Sequence, residues 1–342
     1  MEDYLRNCWY MAAWGHEIGQ GMLRRRLLDE PLVLFRKADG APVAFVDRCP
    51  HRFARLSEGT LDNDCVTCPY HGLIFDASGR CVGNPFSDQI PKGAQVRSFP
   101  VTESDNIIWF WPGDPDLADP ATIPDFSMLE VEGHGRPLSG HMPMNAPYEF
   151  GTDNLLDLSH IEFVHKGSFA PNGVIFAGEH QFREEGNILH SNWWMPGVAA
   201  PGHTIGIYER GSITDHWLDM RWQAPASMYL QVGACRQGEN RDENPVLVHQ
   251  AHILTPETEQ TSHYFWATTR SLPPEEESDA ELRAMFEQAF VVEDKPIIEQ
   301  SYANMDGVDF WDLGPAFLGV DRAGTRARRK LQAMIKREQA GS

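Results

Sequence analysis

Cys49-Pro50-His51-Arg52 and Cys68-Pro69-Tyr70-His71-Gly72 govern the reading of the first part of this chain. Each segment carries one Cys and one His, with Pro directly after the Cys, and sixteen residues separate His51 from Cys68. Two thiolates and two imidazoles would satisfy a tetrahedral zinc ion. The same set suits a [2Fe–2S] cluster with a Cys pair on one iron and a His pair on the other. The even split between two tight loops favours the cluster. A zinc knuckle built on C-x2-C would use Cys65 and Cys68 and leave Cys49 and His51 without a role. Cys8, Cys65, Cys81 and Cys235 read by default as buried structural thiols.

Around these loops the chain reads as short strands and turns. Pro31–Arg36 and Pro42–Asp47 flank Ala38-Asp39-Gly40, and Gly72–Asp76 and Arg80–Val82 flank Ala77-Ser78-Gly79, two hairpin signals. Asn106–Trp111 is a strand ended by Pro112-Gly113. A Pro- and Asp-rich stretch from Pro112 to Pro124 follows, and the 342-residue length suggests about two domains. The predicted division is 1–135, all-β, and 136–342, α+β with an antiparallel sheet and helices after it. In the second part a helix is expected over Asn154–Val164 and strands from about 180 to 270. A long helical stretch is expected from Asp279 to Met305, with Ser278 as N-cap and a kink at Pro296.

Forty-nine Asp and Glu against 29 Lys and Arg give a formal charge of −20, which repels phosphate backbones and argues against a nucleic-acid partner. No apolar run approaches the ~18 residues of a membrane span, and the acidic, charge-interrupted start is unlike a signal peptide. Six Cys without an export signal argue against a disulfide framework, so a cytoplasmic enzyme is expected. The basic run Arg322–Lys330 reads either as a solvated helix or as a dock for an acidic electron-transfer protein.

The second constellation is Asp153-Asn154-Leu155-Leu156-Asp157-Leu158-Ser159-His160-Ile161-Glu162-Phe163-Val164-His165. Asn154, Asp157 and His160 share a helical face. His165 lies about 140° around an ideal helix from His160, so both can serve one metal only through a distortion, expected as a π-type turn between them. Two imidazoles need a carboxylate to complete the facial triad of a non-haem Fe(II) site with open positions for O2. Glu293 and Asp294 are the candidates, and on a regular helix only one of them can reach the site.

The cluster motifs, with Ala54 and Tyr70 where respiratory-chain proteins carry extra Cys, resemble the oxygenase and ferredoxin branch of Rieske proteins. Trp109-Phe110-Trp111-Pro112-Gly113 resembles the end of an oxygenase-type Rieske domain. The order N-x2-D-x2-H-x4-H after such a domain resembles the Rieske non-haem iron oxygenases, closest to the aromatic O-demethylase group that includes the dicamba and vanillate enzymes. His252–Glu259 and Glu293-Asp294-Lys295 resemble segments of that group, and the likeness spans nearly the whole chain.

The resemblance implies an all-β Rieske domain followed by a helix-grip catalytic domain. It implies Cys49, His51, Cys68 and His71 as cluster ligands and His160, His165 and Asp294 as ligands of a mononuclear iron. Asp157 would bridge His160 to the cluster, Asn154 would stand near the iron, and His252, Leu230 and Met285 would belong to the substrate pocket. Leu230 and Met285 replace polar or aromatic residues of the dicamba enzyme, which implies a different substrate.

The implied function is the terminal oxygenase of a monooxygenase system. O2 would be activated at Fe(II), and a methyl on oxygen or nitrogen of a small aromatic compound hydroxylated and lost as formaldehyde. Ring or side-chain hydroxylation, dihydroxylation and a pure electron-transfer role are the alternatives. The chain lacks a G-x-G-x-x-G signal, so NAD(P)H would act through a separate flavin reductase, with or without a ferredoxin. Electrons would leave the cluster through His71, and a ring-shaped homotrimer is implied. Trp193, Trp194, Trp217, Trp222, Tyr229, Trp266 and Phe286 read first as core. His203, His216 and His249 could be pocket anchors or surface residues.

Overall fold

The computed structural model describes residues 4–19, 21–133, 136–166, 173–209, 211–272 and 278–341. It divides into two compact units, Met1–Ile123 with Thr255–Glu259 and Arg337–Ser342, and Pro124–Leu254 with Gln260–Lys336. The change at Ile123 falls in the Pro- and Asp-rich stretch. Residues 134 and 135, where composition put the boundary, lie outside the described residues.

The first unit is built from β1 (Tyr10–Trp14), β2 (Leu23–Leu27), β3 (Glu30–Arg36), β4 (Pro42–Val46), β5 (Thr60–Asp62), β6 (Cys65–Thr67), β7 (Ile74–Phe75), β8 (Cys81–Gly83), β9 (Ser98–Phe99), β10 (Val101–Ser104) and β11 (Ile107–Phe110). They form three sheets, β1-β11-β10, β2-β3-β4-β9 and β5-β6-β7-β8. Both hairpins expected from Gly-containing turns are present, with Leu34 opposite Ala44 and Ile74 opposite Gly83. The β3 side chains alternate between two cores. Leu32 and Leu34 pack with Tyr10, Ile108 and Phe110, while Val33 and Phe35 pack with Phe45, Val66, Phe75, Cys49 and Cys68. Period-two alternation on a strand covered on both faces explains why β3 is apolar throughout and how the Cys loops are anchored.

The second unit holds one seven-stranded sheet in the order β12-β18-β17-β16-β15-β14-β13. Its strands are β12 (Leu138–Met144), β13 (Glu179–Glu185), β14 (Ile188–Ala199), β15 (Ile213–Gln223), β16 (Ser227–Arg236), β17 (Val246–Pro256) and β18 (Ser262–Thr268). The helices are α1 (Tyr148–Leu156), α2 (Ile161–Val164), α3 (Asp279–Glu287), α4 (Lys295–Ala303) and α5 (Arg322–Gly341).

Two expectations need correction. The helix predicted over Asn154–Val164 is not continuous. α1 ends at Asp157 (φ −116°, ψ 82°), a 3-10 turn covers Leu158–His160, and α2 follows. The long stretch from Asp279 is capped by Ser278 as expected, but Gln288–Asp294 is a π-helix joining α3 to α4. Pro296 falls in the first turn of α4, where its missing N–H costs least; the irregularity precedes it instead of kinking the helix at it.

The basic run on α5 is largely engaged within the chain. Arg326 and Lys330 reach Glu184 at 2.7 and 2.8 Å, and Arg328 Nε meets Asp153 Oδ2 at 2.7 Å beneath α1. Arg326 and Lys330 draw the Glu184 carboxyl down to about 2. These pairings favour the folded-helix reading over a docking patch.

Burial raises the Asp153 carboxyl, and Arg328 opposes it. A third of the Asp153 side chain stays accessible, so Arg328→Met should cost about 2 kcal/mol at neutral pH. Removing the cation raises the folded-state pKa of Asp153 further above its unfolded value, so protonation relieves the variant and the loss should shrink from pH 7.5 to pH 5. Urea unfolding at both pH values checks this, and a pH-independent loss would contradict it.

Candidate metal centres and substrate cavity

The two Cys-Pro loops of the first unit share one backbone pattern. Cys49 N–H donates to Ala54 and Phe53 N–H donates back to Cys49, at 2.8 and 2.9 Å. Cys68 N–H donates to Leu73 and Gly72 N–H donates back to Cys68, at 2.8 and 3.0 Å. Position four after each Cys is left-handed, with φ 61° at Phe53 and 68° at Gly72. That conformation is cheap for glycine and uncommon for Phe, so the exposed Phe53 reports a loop held by its bonds rather than by residue preference.

The loops bury Cys49 and Cys68 within thiol hydrogen-bonding reach, and they set the His51 and His71 rings 4.5 Å apart. His71 Nδ1 is buried without a hydrogen-bond partner. Such an orphaned nitrogen is costly unless something binds it. Two buried thiols, two paired rings and an unsatisfied imidazole nitrogen therefore fit a [2Fe–2S] cluster with mixed Cys and His ligation.

In the second unit three donors converge. One nitrogen of His160, one of His165 and a carboxylate oxygen of Asp294 all lie within 4.8 Å of one another. Asp294 Oδ1 is 3.5 Å from His160 Nε2 and 3.3 Å from His165 Nε2. The other nitrogen of each ring is held. His160 Nδ1 donates to the Asp157 carbonyl at 2.6 Å, and His165 Nδ1 donates to Glu293 Oε2 at 2.6 Å. Each Nε2 therefore presents a lone pair to the space beside Asp294. Burial lowers the pKa of His160. Burial also works against charging His165, but the Asp294 and Glu293 carboxylates outweigh it and its pKa is raised. The donor set fits a ferrous ion held by two His and one carboxylate.

The distortion that unites the two His is not the π-turn expected between them. The break falls at Asp157, and His165 lies just past the end of α2 with φ −101° and ψ 38°. The π-turn is on the carboxylate side. Only Asp294 joins the donor set, as expected of one acid of the pair, while Glu293 contacts the opposite nitrogen of His165. Glu293, the acid that the resemblance leaves without a role, holds the His165 ring through Nδ1.

Asn154 Nδ2 lies 3.4 Å from Asp294 Oδ1. The Asp157 carboxylate accepts through Oδ1 from Ser159 N and Oγ at 3.0 and 2.6 Å, and Oδ2 has no hydrogen bond within the described residues. Asp157 touches His160 through its carbonyl and not through its carboxylate.

His160, His165 and Asp294 line a cavity of about 400 Å3, together with Leu230, Met285 and His252. Burial pushes His252 down to about 3. A neutral ring orders the neighbours: Tyr264 O–H donates to Nδ1 at 2.7 Å, and Nε2–H donates to Gln250 Oε1 at 3.1 Å. The Gln250 amide NH2 is left to donate elsewhere. His203 and His216 also line the cavity, whereas His249 is bonded to Tyr229 at 2.8 Å. Among the aromatic residues singled out above, only Phe286 lines it; Trp217 and Trp222 are core.

A cluster cradle in one unit and a two-His, one-carboxylate centre opening on an apolar cavity in the other define the class of Rieske-type oxygenase components. Residues 8–100 match the Rieske [2Fe-2S] domain, and residues 144–337 match the vanillate O-demethylase oxygenase C-terminal domain. The oxygenase component of chloroacetanilide N-alkylformylase from Rhizorhabdus wittichii is 38% identical over 98% of this chain and 97% of its own length. The oxygenase component of dicamba O-demethylase from Stenotrophomonas maltophilia is 37% identical over 98% and 99%. A crystal structure of dicamba monooxygenase bound to 3,6-dichlorosalicylic acid superposes with a TM-score of 0.92 at 36% identity, covering 98% and 99% of the two chains.

The chain belongs to the vanillate O-demethylase oxygenase family of Rieske proteins. It is an oxidoreductase, the terminal oxygenase component of a multicomponent system of the kind that dealkylates aromatic compounds, with a [2Fe–2S] cluster and a mononuclear iron as cofactors.

Asp294→Ala should lower the iron content from about three to about two per chain while leaving acid-labile sulfide and the red-brown colour intact. Retention of the third iron would contradict the ligand assignment. Glu293→Gln should weaken ferrous binding about 10- to 100-fold without touching the cluster, measured by metal titration.

Proposed function

We propose that this chain removes an O- or N-bound alkyl group from a small aromatic compound and releases it as an aldehyde. The observation that carries the reading is the convergence of His160, His165 and Asp294 on the wall of a cavity lined mostly by apolar side chains. The mononuclear iron, when bound by these three residues, supplies open coordination positions at which O2 is reduced.

The chain's own part is positioning and proton control. The Asp157 carbonyl and the Glu293 carboxylate fix the tautomers of the two ligating imidazoles. Leu155, Leu158, Leu230 and Met285 keep water from the reacting carbon, and the Tyr264–His252–Gln250 chain turns one amide donor toward bound substrate. Hydroxylation of the carbon next to oxygen or nitrogen takes one oxygen atom from O2, two electrons and two protons. The other oxygen leaves as water, and the hemiacetal or hemiaminal then splits into the aldehyde and the dealkylated arene.

The electrons come from NAD(P)H through a separate reductase, with or without a ferredoxin, in keeping with the oxygenase-component relatives. Cys49, His51, Cys68 and His71 hold the cluster that receives them. We further propose a ring-shaped homotrimer in which His71 of one chain approaches Asp157 of the next. The uncommitted Oδ2 of Asp157 supports this. Among the described residues no helix is long and apolar enough to cross a membrane. We place the protein in the cytoplasm, where NAD(P)H is available.

Purified protein with a ferredoxin–reductase pair and NADH should yield formaldehyde in step with O2 uptake from methoxy- or N-methyl arenes. Products retaining every carbon would point instead to ring or side-chain hydroxylation or to dihydroxylation. Asp157→Asn should keep both metals and lose turnover at least about 100-fold; normal turnover with both metals loaded would remove Asp157 from the electron path.

A further inference from the structure

His203, His216 and His252 line the cavity without belonging to the His160, His165 and Asp294 set. His252 has both ring nitrogens engaged. His216 does not. Its Nδ1 lies 2.7 Å from the carbonyl oxygen of Gly233, which can only accept, so Nδ1 carries the proton and Nε2 keeps its lone pair. No described residue donates to that Nε2. The ring is 3% exposed, and burial pushes its pKa down to about 4, so it is neutral at working pH.

The orientation is built in. Gly233 pairs with Trp217 across β15 and β16, and a Cβ on Gly233 would stand 2.0 Å from the Trp217 ring. Glycine there lets Trp217 lie against the strand that offers its carbonyl to His216. Ala234, opposite His216, is small. Beside it the His203 ring, 5.6 Å away, has its own Nε2 buried without a hydrogen-bond partner, and burial holds it neutral with a pKa of about 3.

This acceptor is remote from His252. His216 is level with Ala234 and Val246, and the six residues from Val246 to His252 along β17 span roughly 20 Å. The His252 ring packs 5.7 Å from that of Phe290 on the π-turn that carries Asp294, so the unpaired acceptor belongs to the part of the cavity away from that turn. Among the described lining residues there is no Lys or Arg, Glu281 is an acid, and Asp294 belongs to the metal set. A carboxylate placed at the His216 end, away from that set, would have no cationic side chain to pair with.

We propose that His216, through Nε2, is a specificity-determining hydrogen-bond acceptor, and that the substrate is an uncharged arene with an N–H or O–H donor on the side away from the alkyl group removed. The proposal rests on the dealkylase reading of the same cavity. A donor placed against Nε2 satisfies a cavity-facing lone pair that a capped analogue covers without bonding, and that difference sets the preference.

The test uses the full iron-loaded chain, anaerobic and without reductase, and calorimetric binding of para-methoxyacetanilide, its N-methyl derivative and para-methoxybenzoate. Wild type should bind the N–H compound about tenfold more tightly than either of the others. His216→Phe, which keeps a ring without an acceptor, should lose that preference, and His216→Gln, which keeps an acceptor oxygen, should recover part of it. Equal wild-type affinity for the N–H and N-methyl compounds, tightest binding of the carboxylate, or an undiminished preference in His216→Phe would each overturn the proposal. The wild-type comparison decides it even if His216→Phe does not fold. The dealkylase reading fails on a different readout. Ligands that bind with the expected preference but give no formaldehyde once reductase and O2 are supplied would leave His216 as a recognition residue in a protein of another activity.

Discussion

Two imidazoles and a carboxylate must meet at one point, and the second nitrogen of each imidazole must be held by something that only accepts. Backbone conformation meets both demands. A regular helix would carry His160 and His165 apart, so α1 stops at Asp157, a 3-10 turn presents His160, and His165 is placed past the last residue of α2. The same break frees the Asp157 carbonyl to accept from His160 Nδ1. On the facing segment a π-turn brings Glu293 and Asp294 onto the two sides of one ring. Irregular backbone of this kind costs free energy locally and persists where the surrounding fold over-determines it.

The cluster cradle follows the same logic with different material. Its Cys and His side chains lie on two loops with one hydrogen-bond pattern, and the left-handed fourth position turns each loop back on its Cys. Phe53 takes up that conformation without glycine's freedom, because Val33, Phe35 and Phe75 pack behind the cysteines and the ladder bonds close the loop. Packing on the far face of β3 thus contributes to the rigidity that an electron-transfer centre needs.

The cradle was legible in the sequence because its ligand spacing is local, and a C-P-H and C-P-Y-H pair states the inventory and the loop geometry together. The hairpins and the long antiparallel sheet were legible from turn residues and alternation. The identity of the His, His and Asp set was legible as well, but not the means of bringing it together. Helical periodicity signals that His160 and His165 are out of phase; it cannot tell a π-turn from a 3-10 turn that ends at His160 and a helix that ends before His165. His216 was undecided for a further reason. Its tautomer is set by a carbonyl seventeen residues away on the next strand, where Gly233 accommodates Trp217. The basic run on α5 was ambiguous because Glu184 and Asp153, its partners, lie more than a hundred residues earlier.

One chain holding iron in two chemically different environments has a distinct spectroscopic signature. Mössbauer spectroscopy of protein grown on 57Fe and reduced anaerobically addresses it directly. The expected spectrum is a valence-localised pair of irons with unlike cysteine and histidine ligation, together with a separate high-spin ferrous signal of about half that area, arising from nitrogen and oxygen ligands. A single iron environment, or a spectrum accounted for by the pair alone in protein fully supplied with iron, would contradict it.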